Sequence, residues 1–142
     1  MTKFLVMDSS FAVRLVVPHS EHALFAGQHA QWIQDGLQIY APTLWVYEVT
    51  SSLGKYHKFG QMTLDEVSEA IEAVLDLDVE LVRPDKALAL QANKWRAKLN
   101  REAAYDSFYV ALAERLQCDL WTADKKLVNA VGEPWVKYGG MA

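Results

Sequence analysis

Short apolar runs alternate with helix-patterned stretches from one end of this chain to the other, and that alternation constrains the fold more than any other feature. Phe4 to Met7 form an apolar run stopped by Asp8-Ser9-Ser10, which reads as a buried strand. Ser9 or Ser10 is placed to cap a short helix over residues 11–17, ended by Pro18. Ser20 opens a helix to about residue 35, and Gly36 ends it. Residues 37–41 are a second strand. Pro42-Thr43 starts a long helix to about residue 59, closed by Gly60. Thr63 and Glu66 form a capping box for a helix over 64–77. A third strand spans 79–82, and Pro84-Asp85 opens a helix to about residue 99. After a loop over 100–105 come a helix over 106–116, a fourth strand over 119–122, a short helix from Asp124 to about residue 131, and a fifth strand over 135–137. The pattern predicts an α/β three-layer sandwich: a mostly parallel central sheet of four or five strands with helices on both faces. With 142 residues and no repeat, linker or low-complexity segment, residues 1–142 read as a single domain.

Composition removes several function classes. Hydrophobic residues are 51% of the chain, which excludes wholesale disorder. The net charge of −4 argues against a module that grips phosphates by bulk positive charge. It leaves nucleic acid open as a substrate, because bound cations reverse a local field. The one cysteine, Cys118, forbids an internal disulfide and a thiolate zinc site; in its apolar stretch it reads as a buried, inert thiol. The N-terminal apolar run is too short for a secretory signal, and no run approaches the roughly 18 apolar residues of a membrane span. The expectation is a soluble cytoplasmic domain.

In a parallel sheet all strands end on one edge, the returning helices begin there, and ligands bind there. Asp8 directly follows the first strand, and Asp124 follows the fourth by two residues. Asp106 opens the helix leading into the fourth strand. Glu48 lies about five residues into the helix after the second strand, roughly 7–8 Å along its axis. Four carboxylates from distant parts of the chain are thus expected at one edge. They sit in apolar company, such as Leu44-Trp45-Val46-Tyr47-Glu48-Val49, so their charges need partners. No lysine or arginine is adjacent in sequence to Asp8, Glu48 or Asp106, and divalent cations are the alternative partner. Oxygen-only donors suit Mg²⁺ or Mn²⁺. Without these four acids the remaining charge is balanced. Asp8, Asp106 and Asp124 each also stand where a helix N-cap is wanted, as does Asp85, which reads only as a cap. Glu48 fits no capping rule and is the most informative of the four.

Four segments resemble the ordered motifs of PIN-domain ribonucleases. They are Phe4-Leu5-Val6-Met7-Asp8-Ser9-Ser10, Pro42-Thr43-Leu44-Trp45-Val46-Tyr47-Glu48-Val49, Tyr105-Asp106-Ser107-Phe108-Tyr109-Val110, and Leu120-Trp121-Thr122-Ala123-Asp124-Lys125-Lys126-Leu127. No single motif is specific, whereas the ordered set at this spacing is; it covers nearly the whole chain, and the length resembles the VapC-like toxins of prokaryotic toxin–antitoxin pairs. The resemblance implies a PIN-like fold and a metal-dependent endoribonuclease in which Asp8, Glu48, Asp106 and Asp124 bind Mg²⁺ or Mn²⁺. The family pattern is looser at the last acid. Thr122, Ser9 and Ser10 match hydroxyl positions beside the acids. Two metals about 3.5–4 Å apart would activate water, neutralise the phosphate and steady the leaving oxygen. Arg14, Lys55, Lys125 and Lys126 are candidate phosphate contacts, as is Arg101 in the basic segment with Arg96 and Lys98. The resemblance also implies a homodimer and a small cognate antitoxin.

Other features weigh less. His22 and His29 are seven apart and share a helical face with no carboxylate triad nearby, so zinc is disfavoured. The five tryptophans read as core. Alternative functions are a housekeeping RNA-processing nuclease, a receiver-like signalling module and a non-catalytic scaffold. The receiver reading needs an acid ending a central strand, and the third strand runs into Val82-Arg83-Pro84 instead.

Overall fold

The structure, a computed structural model, describes residues 3–140. Five parallel strands form one sheet in the order β3-β2-β1-β4-β5: β1 (Phe4–Met7), β2 (Gln38–Pro42), β3 (Val79–Val82), β4 (Asp119–Thr122) and β5 (Val136–Tyr138). Among the described residues seven helices connect them and make the outer layers: α1 (Ser9–Arg14), α2 (His22–Gln34), α3 (Leu44–Lys58), α4 (Leu64–Leu75), α5 (Lys86–Lys98), α6 (Tyr105–Leu116) and α7 (Lys125–Val131). The α/β three-layer expectation is met, and the sheet is parallel throughout. Among the described residues no helix is long and apolar enough to cross a membrane.

The strand order carries the functional consequence. The chain winds outward from β1 through β2 to β3, then returns to the other side of β1 to lay down β4 and β5. The winding direction therefore switches between β1 and β4, where the connections diverge and leave a crevice beyond the strand ends. Met7 pairs with Trp121 across that boundary, so the residues just after them face each other at the crevice.

The core beneath it is dense and aromatic. Trp45, Tyr109, Phe11 and Phe25 are among the fully buried side chains. Phe11 meets Phe25 edge-on at 4.8 Å and stacks on Trp32 at 4.9 Å, which ties α1 to α2. Each such ring contributes roughly 1.5–3 kcal/mol on burial. Cys118 is buried, and that burial pushes its thiol up to about 12.

Several boundaries move for physical reasons. Asp8, not Ser9 or Ser10, caps α1, accepting from the Phe11 amide at 3.0 Å, and the helix ends at Arg14. The second helix starts at His22, and its N-cap, Glu21, makes no side-chain cap bond; that carboxylate instead accepts from the Tyr138 hydroxyl at 2.6 Å. Pro42 ends β2 rather than opening α3. It lies opposite Val82, and the Thr43 amide supplies to the Val82 carbonyl the bond that proline lacks a donor for. Helix α6 begins at Tyr105 with Ala104 at its N-cap, so Asp106 sits inside the first turn and does not cap it.

Candidate active site

Asp8 ends β1 at the crevice and is 5% exposed. Its Oδ1 accepts from the Ser10 hydroxyl at 2.7 Å and from the Phe11 amide, while Oδ2 accepts from the Thr122 hydroxyl at 2.5 Å. Both hydroxyls are held in turn: Ser10 Oγ accepts from the Ala123 amide at 2.9 Å and Thr122 Oγ1 from the Asp124 amide at 3.0 Å. These bonds lock the ends of β1 and β4 together around one carboxylate. Burial pushes the Asp8 carboxyl up to about 6; the Thr122, Ser10 and Phe11 bonds pull it back, and the charge of Asp106 adds to the rise.

Glu48 projects from the second turn of α3 and is half-buried. Its Oε1 accepts from Tyr109 Oη at 2.6 Å and from Ser9 Oγ at 3.3 Å. Burial raises its carboxyl above the usual range, the Tyr109 bond opposes that, and Asp106 adds to it. The Tyr109 phenol is driven well above its ordinary value by burial and by Glu48, so it stays a donor. Sequence reasoning missed Tyr109 as part of this site. The available signal was its place three residues after Asp106, on the same face of α6.

Asp106 is half-buried, and its Oδ2 accepts from Arg101 Nη1 at 3.0 Å. Burial raises its carboxyl, Arg101 lowers it and Asp124 raises it, with burial prevailing. Arg101 corrects the expectation that these acids have no basic partner: it is five residues away in sequence and reaches Asp106 across the loop before α6. The loop is shaped for this, because Asn100 adopts a left-handed φ of 54° and the Arg101 carbonyl accepts from Arg96 Nη1 at 2.9 Å. Asp124 caps α7, its Oδ1 accepting from the Lys126 amide at 2.9 Å and the Leu127 amide at 3.3 Å.

The four acids thus lie at one edge, near enough for their charges to couple. As the side chains stand, no three His, Cys, Asp or Glu among the described residues close into a metal cage. The donor set nevertheless fits a hard divalent cation. The hydrogen bonds to Glu48, Asp106 and Asp124 fall on one oxygen of each carboxylate and leave the other, and buried Asp8 pairs with no lysine or arginine among the described residues.

The expected phosphate contacts divide. Arg14, Lys125 and Lys126 line a cavity of about 610 Å³ with Ser10 and Asp124. Lys55 lines a second, beside Glu48. Arg101 is engaged with Asp106, and Lys98 lies over the Trp95 ring at 4.7 Å. His22 bonds the Arg14 carbonyl at 2.9 Å, and His29 lies edge-on to Trp32 at 6.4 Å.

Fold and crevice together define a doubly wound parallel α/β protein with an acidic site at its switch point. A family model described as PIN domain matches residues 5–133. Ribonuclease VapC3 of Pyrobaculum aerophilum is 32% identical over 127 residues, covering 88% of this chain and 92% of that protein. Among solved structures, the fold is similar to Mycobacterium tuberculosis VapC20, described as a sarcin–ricin loop cleaving toxin (TM-score 0.66, 16% identity, covering 94% of this chain and 98% of that one). It is likewise similar to a chain of a toxin–antitoxin complex from Klebsiella pneumoniae (TM-score 0.65, 16% identity, covering 95% and 97%). The chain belongs to the PIN-domain ribonuclease family, as one of its VapC-like members.

Proposed function

We propose that this chain, acting as one PIN unit over its whole length, is a Mg²⁺- or Mn²⁺-dependent endoribonuclease and the toxin of a toxin–antitoxin pair. The observation that carries the reading is Asp8: a carboxylate buried at the switch point, raised to about 6, and backed by two hydroxyls and an amide that fix its direction. Such a group is costly to keep charged unless a cation joins it. Asp8, Glu48, Asp106 and Asp124 would hold the ions. A pair of bound divalent cations supplies an activated water and neutralises charge on the phosphate and the leaving oxygen.

The chain's own residues do the rest. Ser10 and Thr122 aim Asp8, and Tyr109 with Ser9 aims Glu48. Arg14, Lys55, Lys125 and Lys126 stand beside the acids to meet flanking phosphates of an RNA strand. Arg101 has two uses: it neutralises Asp106 while no cation is bound, and it is free to take a phosphate once one is. The Arg101–Asp106 pair also supports an antitoxin reading, because a guanidinium already fits against one of these acids. A small partner carrying an arginine in an apolar segment would complement the crevice. A cytoplasmic homodimer completes the proposal.

The test is incubation of the purified chain with total RNA, with Mg²⁺ or Mn²⁺ and with excess chelator, followed by mapping of the new ends. Discrete cuts that vanish with chelator are expected; cleavage unchanged by chelator contradicts the metal mechanism. Light scattering and co-expression with the adjacent gene test the assembly: a dimer that co-purifies with a small partner is expected, and a monomer with no partner contradicts it.

A further inference from the structure

The cavity beside Glu48 has an aromatic mouth. It holds about 480 Å³ and is lined by Tyr47, Glu48, Ser51, Ser52, Lys55 and Tyr105, among others. That volume lies within the range of ordinary small-ligand pockets. Tyr47 is 72% exposed and Tyr105 64% exposed. Singly exposed apolar side chains need no explanation, but two rings on one cavity do. They come from different helices, and each stands one residue before an acid of the site: Tyr47 before Glu48 on α3, Tyr105 before Asp106 on α6. Among the described residues neither ring pairs with another aromatic ring, so their faces are available.

The cavity does not stand alone. Ser52 also lines a smaller cavity with Ser10, Arg14 and Tyr56. Ser10 and Arg14 then line the cavity that holds Lys125 and Lys126. Neighbouring cavities that share lining residues thus lead from Tyr47, Tyr105 and Lys55, beside Glu48, to Arg14, Lys125 and Lys126, beside Asp124. The two ends of this series suit the two chemical parts of a single nucleic acid strand: flat π-faced bases and anionic phosphates. Stacking on exposed aromatics is the common way to hold an unpaired base, and cations track the backbone.

Resting on the ribonuclease reading above, we propose that Tyr47 and Tyr105 form a nucleobase subsite next to the scissile position. An unpaired base of the RNA stacks there, Ser51 and Ser52 reach its edge, and Lys55 meets the phosphate attached to it. Arg14, Lys125 and Lys126 hold the backbone on the other side of the acids. The subsite fixes which phosphodiester reaches Asp8 and Glu48.

The test is fluorescence anisotropy of the full chain in chelator, which keeps the RNA uncut. The probes are labelled oligoadenosine and an abasic ribose-phosphate strand of equal length and charge. The parent is expected to bind oligoadenosine more tightly than the abasic strand. Tyr47→Ala and Tyr105→Ala should each weaken oligoadenosine binding by roughly 5- to 100-fold and leave the abasic strand unaffected. Tyr47→Phe and Tyr105→Phe, which keep the π-face, should bind as the parent does. Arg14→Ala should weaken both strands alike. Equal parental affinity for the two strands overturns the base subsite while leaving the ribonuclease reading intact. Alanine variants that hold RNA normally but no longer co-purify with an antitoxin overturn it in favour of a protein-docking role for the tyrosines. A parent that binds neither strand and cuts no RNA removes the ribonuclease reading itself.

Discussion

At the scale of single residues, the site is governed by how each carboxylate is backed. Glu48 depends on Tyr109, a 1% exposed phenol whose hydroxyl is its shortest bond. Tyr109→Phe keeps the ring and removes that bond, so the fold is expected to survive with a loss of about 1.5–3 kcal/mol. Removal of such a backing group lowers metal affinity or activity roughly 10–100-fold, and metal titration beside a cleavage assay reads both. Asp8 predicts a pH dependence. Its carboxyl stands near 6 when folded against 3.8 when free, so between about pH 4 and 6 the folded, metal-free protein holds a proton that the unfolded chain has released. Stability therefore falls as pH rises through that window, by up to ~3 kcal/mol from this group. Asp8→Asn should flatten that slope and leave the metal-free protein as stable as the parent at pH 7, or more so, while abolishing cleavage. Urea denaturation in chelator from pH 4 to 7 checks it; a variant much less stable than the parent at pH 7 would mean that Asp8 serves chiefly as the cap of α1.

At the scale of elements, most of the architecture was legible because each strand is a short apolar run with a clear stop. Thr63 with Glu66 announced α4, and both bonds of that capping box are made, at 3.1 and 2.8 Å. At two of the boundaries that slipped, distant partners hold the residues concerned. Glu21, at the N-cap of α2 in place of the expected Ser20, accepts from Tyr138, and Ser10, an expected cap of α1, accepts from the Ala123 amide. No local pattern announces such long-range partners. The same limit applied to the site. The acids were readable as residues that end strands or interrupt an apolar helix. Arg101 was named only as a phosphate contact and Tyr109 not at all; their roles as partners of Asp106 and Glu48 became visible only in the folded contacts. β5 shows how tightly its end is fitted. A Cβ on Gly139 would lie 2.4 Å from Phe11 and 2.7 Å from Phe25, rings that are fully buried and have nowhere to go. Gly139→Ala is expected to cost about 1–3 kcal/mol in thermal unfolding. A loss of only a few tenths of a kcal/mol would show that the β5 end is looser than its packing implies.

At the scale of the whole molecule, topology and charge act together. Reversal of the winding between β1 and β4 opens the crevice, and the four acids gathered there account for the chain's net charge of −4. An acidic crevice weakens the hold on RNA at the acids unless cations fill it, which makes divalent metal the switch between a protein that binds RNA only through the flanking residues and one that cuts it. Glu48 tests that claim most directly, since no cap, strand end or ion pair accounts for its position. Glu48→Gln preserves size and can still accept from Tyr109 and Ser9, but it removes the charge a cation needs. The decisive measurement is the rate of RNA cleavage by Glu48→Gln beside the parent at the same Mg²⁺ or Mn²⁺ concentration. The account predicts a loss greater than the roughly 10–100-fold expected for an outer partner; cleavage at the parental rate would contradict it.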